Sequence, residues 1–153
     1  MLYIISIIAI LILDIITKYL TVAYLKPIST YPIIQDVFHL TYIENTGAAF
    51  SVLQDKQIFL ILFNSILLFL LFAYLVRALR RDRKFHLSYL ALSFIIAGGI
   101  GNLIDRFRLG YVIDMFDFRL INFAVFNVAD IFICAGVVLL VLCILFFEKD
   151  LVR

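Results

Sequence analysis

The chain has 153 residues, of which 65% are hydrophobic and 16% charged, and its mean hydropathy is +1.14. Soluble domains are about 45–50% apolar and about 25% charged, and a domain of ~150 residues hides only ~70% of its surface. That excess argues against a soluble globular enzyme, the low glycine and proline counts (6 and 2) exclude disordered and collagen-like chains, and a net charge of +2 is too small to argue for nucleic acid.

A membrane span needs ~20 residues. In chain order, four stretches meet that length: about 2–25, 57–76, 85–104 and 125–147. The first holds Asp14 and Lys18, the middle two hold no charge, and the fourth holds only Asp130. The first stretch lacks a basic n-region and a small-x-small cleavage site, so it is expected to persist as a helix. The loop 77–84 has five basic residues and one acidic one. The outer segments 26–56 and 105–124 are longer and balanced. The positive-inside rule therefore puts 77–84 in the cytoplasm, together with both termini. Within 26–56, Phe38, Leu40 and Tyr42 alternate with His39 and Thr41, which predicts a short strand. Glu44, Asn45, Thr46 and Gly47 then read as a turn, and a second extended piece is expected at 112–118. The expected fold is a mainly α membrane protein: residues 1–153 form one polytopic domain, with four transmembrane helices and a small extracytoplasmic β-sheet.

Cys134 and Cys143 share one apolar run. On a helix their spacing corresponds to ~13 Å, too far for a disulfide, so both are expected to pack as buried apolar groups. His39 and His86 form no HExxH pair, and the chain has no GxSxG, Walker or GxGxxG motif. A zinc protease, a serine hydrolase and a nucleotide-dependent enzyme are not expected.

The polar residues of the spans share one depth. Asp130 lies ~25 Å from Glu148, and Asn102 lies ~27 Å from Lys84, at 1.5 Å per helical residue. Asp14 is ~20 Å along the first span, with Lys18 one turn further. In a hydrocarbon core ~30 Å thick, all three helices bring polar groups to a layer just beneath the outer surface. Each charge there costs ~2.5–3.5 kcal/mol on insertion scales, so such residues mark function or paired structure.

Asp14 and Lys18 stand four apart, acid first, the favourable order for a helical ion pair, with Lys18 able to snorkel outward. Arg106, beside Asp105 at the end of the third span, suits an interfacial anchor. Asn45, Asn102 and Asn127 suit caps or turns. Asp130 has no basic residue within a turn, so it must take up a proton or find a partner from elsewhere. Asp114 is a second carboxylate in apolar sequence, entering the same layer. Brought close, the two would share a proton. One carboxylate could then activate water while the other protonates a carbonyl.

Five blocks complete this pattern: Asp14-Ile15-Ile16-Thr17-Lys18; Asn45-Thr46-Gly47-Ala48-Ala49-Phe50-Ser51; Gly98-Gly99-Ile100-Gly101-Asn102-Leu103-Ile104-Asp105-Arg106; Val112-Ile113-Asp114; and Phe126-Asn127-Val128-Ala129-Asp130. In order and spacing they closely resemble the lipoprotein signal peptidase (signal peptidase II) family of bacteria, over nearly the whole chain. The resemblance implies four transmembrane helices, a small outer cradle and a mobile outer flap. It implies Asp114 and Asp130 as catalytic residues. The other family positions fall on Asp14, Lys18, Asn45, Gly47, Asn102, Asp105, Arg106, Asn127 and Ala129. By resemblance, Asn45 and Arg106 hold the substrate backbone, Asn102 and Asn127 position the dyad or substrate, and Ala129 leaves room for a lipid-bearing peptide.

The implied activity is an aspartic endopeptidase of the bacterial cytoplasmic membrane, acting near its outer face. It would cut diacylglyceryl-modified prolipoproteins just before the lipidated Cys, with water as nucleophile and no metal or cofactor. Its partners would be lipidated prolipoproteins and membrane lipids. Two positions depart from the family pattern: Ile15 where Gln is usual, and Ile131 where Ser or a small polar residue is usual. A small proton- or ion-coupled carrier is the alternative use of membrane carboxylates. Carriers are typically built from repeats with midplane sites, and no repeat is visible here.

Overall fold

The computed structural model describes residues 1–47, 56–82, 84 and 86–147. Four long helices carry the chain. Helix α1 is Leu2–Leu20 and continues as a π-helical turn, Thr21–Leu25; α2 is Gln57–Arg81; α3 is Leu87–Leu109; and α4 is Val128–Leu142, extended by a second π turn, Cys143–Phe147. Each is long and apolar enough to cross a membrane. Their outward faces explain the hydropathy. Ile4, Ile5, Ile8 and Ile12 on α1 and Ile58, Phe59, Leu62 and Phe63 on α2 are all exposed. Apolar patches of that extent belong against lipid rather than water.

Helix α3 is the centre of the bundle. Twelve of its residues are buried, against Leu60 and Leu75 alone on α2, and it packs on α1, α2 and α4. Two apolar clusters frame the molecule. Tyr3, Leu75, Tyr89, Leu92 and Ile96 fill the half of the bundle next to the 77–84 loop. Leu25, Ile113 and Met115, with Leu40, Tyr42 and Phe116, seat a small sheet on the opposite end.

That sheet is antiparallel, in the order β1 (Thr30–Ile34), β2 (Phe38–Asn45), β3 (Val112–Asp117). The alternating stretch around Phe38 is β2 and the second extended piece is β3. Strand β1 gave no alternation signal because four of its five residues are exposed, and Pro32 is tolerated because β1 is an edge. β2 runs through Asn45, so Glu44 and Asn45 belong to the strand, and the chain bends at Gly47. Beyond β3 the chain turns back, and Phe126 bridges to Phe116. Phe126 O accepts from both Met115 N (3.0 Å) and Phe116 N (2.8 Å). This bridge fastens the start of α4 to the strand that carries Asp114.

Several boundaries differ from the sequence expectation. Helix α2 continues through Arg77, Arg80 and Arg81, so most of the basic stretch is helical. Helix α3 runs past residue 104 to Leu109, which places Asp105 and Arg106 inside its last turns. Helix α4 begins at Val128 rather than about 125, so Asp130 sits in its first turn. Cys143 is buried as expected, but Cys134 is exposed on the wall of a cavity. Residues 48–51 of the second motif block, and any flap formed by 48–55, lie outside the described residues.

Candidate active site

The site is built on the start of α4. A helix leaves its first N–H groups without partners, and here side chains from elsewhere take them. Asn127 is the N-cap: its Oδ1 accepts from Asp130 N (2.9 Å), while Asp130 Oδ2 accepts from Asn127 N (3.2 Å), a reciprocal capping box. Asp14, reaching across from α1, accepts from Ala129 N (3.0 Å). Asp130 therefore sits in the first turn of α4, held by the N-terminal N–H groups of the helix.

Close helix contact makes this possible. A Cβ at Gly101 would stand 2.5 Å from Asp14 Oδ2, and one at Gly98 would overlap the Ala129 carbonyl. The glycine-rich block of α3 is thus the surface on which α1 and α4 meet it. Ala129 is fully buried in this contact and is not among the described residues lining the cavity. Its small side chain lets α4 pack closely on α3.

The two carboxylates share a hydrogen-bond network. Asp114 accepts from Asn45 Nδ2 at 2.9 Å and from Asn127 Nδ2 at 2.7 Å, one on each oxygen. Asp130 Oδ1 accepts from Asn102 Nδ2 at 2.7 Å. Asn127 Nδ2 also donates to Asn102 Oδ1 at 3.1 Å, so one amide touches both halves of the pair. The Asp114 side chain is 1% exposed. Burial, then the neighbouring negative charge of Asp130, push its pKa up from 3.8 to about 7, against the opposing donors Asn45 and Asn127.

Beneath this pair lies a second polar layer. Lys18 contacts Asp14 Oδ2 at 2.8 Å and Asp105 Oδ2 at 2.9 Å, with all three side chains nearly buried. Lys18 does not snorkel outward. It faces the bundle, where it also reaches Asn102. Asp105 accepts from Ile113 N (3.2 Å), joining α3 to β3. Arg106 is no interfacial anchor either: it is buried, donating to Gly47 O at 2.7 Å and to Asn102 O at 3.4 Å. Gly47 N in turn donates to Asn45 Oδ1 at 2.9 Å.

Asn45, Asn102, Arg106, Asp114 and Asp130 line one cavity of about 600 Å3. Its remaining wall is mostly apolar, including Val112, Phe123, Phe126, Ile131 and Cys134. Sites of this kind, apolar with a few convergent polar groups, suit ligand binding. Asp14, Lys18, Asp105 and Asn127 stand behind the cavity as support. Ile131 points its side chain to the cavity, whereas the hydrogen bonds of Asp130 come from Asn102 and Asn127, so this departure alters the wall and leaves those bonds in place. Ile15 is exposed on α1, away from the site. Sequence reasoning missed Gln57, whose Nε2 donates to Thr46 O at 2.6 Å and holds the turn after Asn45. The signal was slight: Gln57 is the polar residue at the first position of α2, ahead of the apolar run Ile58–Phe63.

Two carboxylates thus meet near one cavity at the end of a bundle of four membrane-length helices, and comparison with known proteins gives the class as a membrane peptidase. The model of signal peptidase (SPase) II matches residues 6–146, and the chain belongs to that peptidase family. It is 49% identical to the lipoprotein signal peptidase of Clostridioides difficile, over 97% of this chain and 98% of that protein. It is 41% identical to the lipoprotein signal peptidase of Streptococcus pyogenes, over 97% and 95% of the two chains. A solved bacterial membrane enzyme matches with a TM-score of 0.81 and 28% identity, covering 99% of this chain and 91% of the other.

Proposed function

We propose that this protein removes signal peptides from diacylglyceryl-modified prolipoproteins, cutting just before the lipidated Cys by an aspartic mechanism within the membrane. The observation that carries the reading is the Asn127-linked pair, Asp114 and Asp130, at one cavity. The names of the relatives support the substrate class. In the proposed cycle Asp114 holds the shared proton, as its raised pKa favours, and donates it to the scissile carbonyl. Asp130, at the helix N-terminus, takes a proton from the attacking water. Water is the nucleophile, so no acyl-enzyme forms. Arg106, which lines the cavity and whose Nε has no partner among the described residues, holds the backbone of the substrate in this reading. The apolar wall suits acyl chains and the apolar side chains of a signal helix.

Orientation follows from charge: the basic stretch from Arg77 to Lys84 faces the cytoplasm with both termini, and the cavity opens near the outer face. The test is cleavage of a purified prolipoprotein with and without its diacylglyceryl group. Cutting confined to the lipidated form is expected; equal cutting of both would overturn the lipid-specific part of the reading.

A further inference from the structure

Lys18 hydrogen-bonds to neither Asp114 nor Asp130 among the described residues, yet its surroundings give it a task that neutralising Asp14 does not exhaust. An ammonium has three N–H donors. The three acceptors around Lys18 are Asp14 Oδ2 (2.8 Å), Asp105 Oδ2 (2.9 Å) and Asn102 Oδ1 (3.2 Å). The third is a neutral amide and adds nothing to charge balance.

What it adds is direction. An amide side chain can present either its oxygen or its NH2 group to a neighbour, and its surroundings decide which. Two donors face the same atom of Asn102: the Lys18 ammonium and Asn127 Nδ2 (3.1 Å). Lys18 has no acceptor to offer, so a flipped Asn102 would place NH2 against NH3+. Asn127 cannot flip to compensate, because its Oδ1 is held by the Asp130 N–H at the helix cap. Asn102 Oδ1 must therefore face Lys18, and Asn102 Nδ2 must face Asp130 Oδ1 at 2.7 Å.

We infer that Lys18 is a positioning residue for the proposed cleavage: through the Asn102 amide it fixes the N–H that aims the Asp130 carboxylate. The inference rests on the aspartic reading above. The charged groups around this chain are Asp14 and Lys18 from α1, Asp105 and Arg106 from α3, Asp114 from β3 and Asp130 from α4.

Lys18→Met alone leaves two buried carboxylates unpaired and is liable to misfold. The decisive variant is therefore Lys18→Met combined with Asp14→Asn and Asp105→Asn, which removes every charge of the cluster while keeping its shape. It is compared with Asn102→Leu and with the four substitutions together, in full-length enzyme reconstituted in lipid and assayed on a lipidated prolipoprotein peptide. The triple variant should lose kcat by about 100-fold, the scale of a misplaced catalytic group, with KM within about twofold of wild type. Asn102→Leu should lose at least as much, and adding the triple to it should cost no further activity, because both act through one bond. Wild-type kcat in a folded triple variant would overturn the inference, leaving Lys18 only to balance charge. Losses that multiply would also overturn it. Asp130→Asn in the same assay separates the two levels: activity retained there refutes the aspartic reading itself, whereas an inactive Asp130→Asn beside a fully active triple refutes only the relay.

Discussion

The two ends of the bundle are packed on different principles. Next to the 77–84 loop, Tyr3, Leu75, Tyr89, Leu92 and Ile96 form an ordinary apolar contact between α1, α2 and α3. At the other end the same α1 and α3 meet through Asp14, Lys18, Asn102 and Asp105. In lipid, apolar side chains gain little by leaving the bilayer for each other, so the first contact depends on shape. The second depends on direction: each polar group is costly there unless its partner is correctly placed. One end can tolerate a change of side chain that keeps volume. The other should respond to changes that keep volume and alter only a donor or an acceptor.

The largest effect should come from the residue that touches most of the polar end. Asn127→Ala removes the N-cap of α4 and a donor to Asp114 and Asn102 together. Activity should fall by about 100-fold or more, and stability by about 1 kcal/mol from the lost cap. Steady-state kinetics and thermal unfolding in detergent measure both. A smaller effect of the opposite kind is expected at the apolar end. Leu92→Ala opens a cavity and should cost about 2–5 kcal/mol of stability, while kcat of the protein that remains folded stays within about twofold of wild type. A large kcat loss in Leu92→Ala would erase the contrast between the two ends.

The pH dependence sharpens the comparison further. Asp114 is pushed up to about 7, chiefly by burial and then by the charge of Asp130. Its raised folded pKa means that the proton is held more tightly in the folded state. The associated stability is therefore fully present below the ordinary value of 3.8 and is lost as pH rises towards about 7. Activity should fall along an upper limb near that same pH, as the pair loses its shared proton. Asn45 donates to Asp114 and holds its pKa down. Asn45→Ala should therefore move the upper limb to higher pH, while Leu92→Ala should leave it where it is. A kcat–pH series on the three proteins checks this, and a limb that moves down in Asn45→Ala would contradict the assignment.

Much of this was legible in the sequence, for a physical reason. Lengths of apolar run are set by the bilayer, so the four helices and the shared depth of Asp14, Asn102 and Asp130 followed from counting. The alternation at Phe38–Tyr42 marked β2 because one side of that strand is apolar. Strand β1 was missed because an exposed edge carries no such pattern. Lys18 was misread as a snorkelling group because spacing reveals its neighbour on α1 and not Asp105 and Asn102 on α3. Asp130 looked isolated for the same reason. Its partners Asn102 and Asn127 are amides, which a search for opposite charge passes over, and the capping box that places it in the first turn of α4 depends on where the helix begins.

The most direct test of the account is turnover by Asp114→Asn, Asp130→Asn and the double variant, each reconstituted in lipid and checked for insertion and thermal stability. Each substitution keeps size and removes a buried charge, but it turns one accepting oxygen into a donor that faces Asn45, Asn102 or Asn127, so insertion and stability are measured for every variant. An amide can neither take a proton from water nor give one to a carbonyl. The account predicts that all three variants insert normally, that each single variant loses essentially all cleavage of the lipidated substrate, and that the double variant loses no more than either single one. A well-inserted single variant with near-wild-type turnover would contradict it.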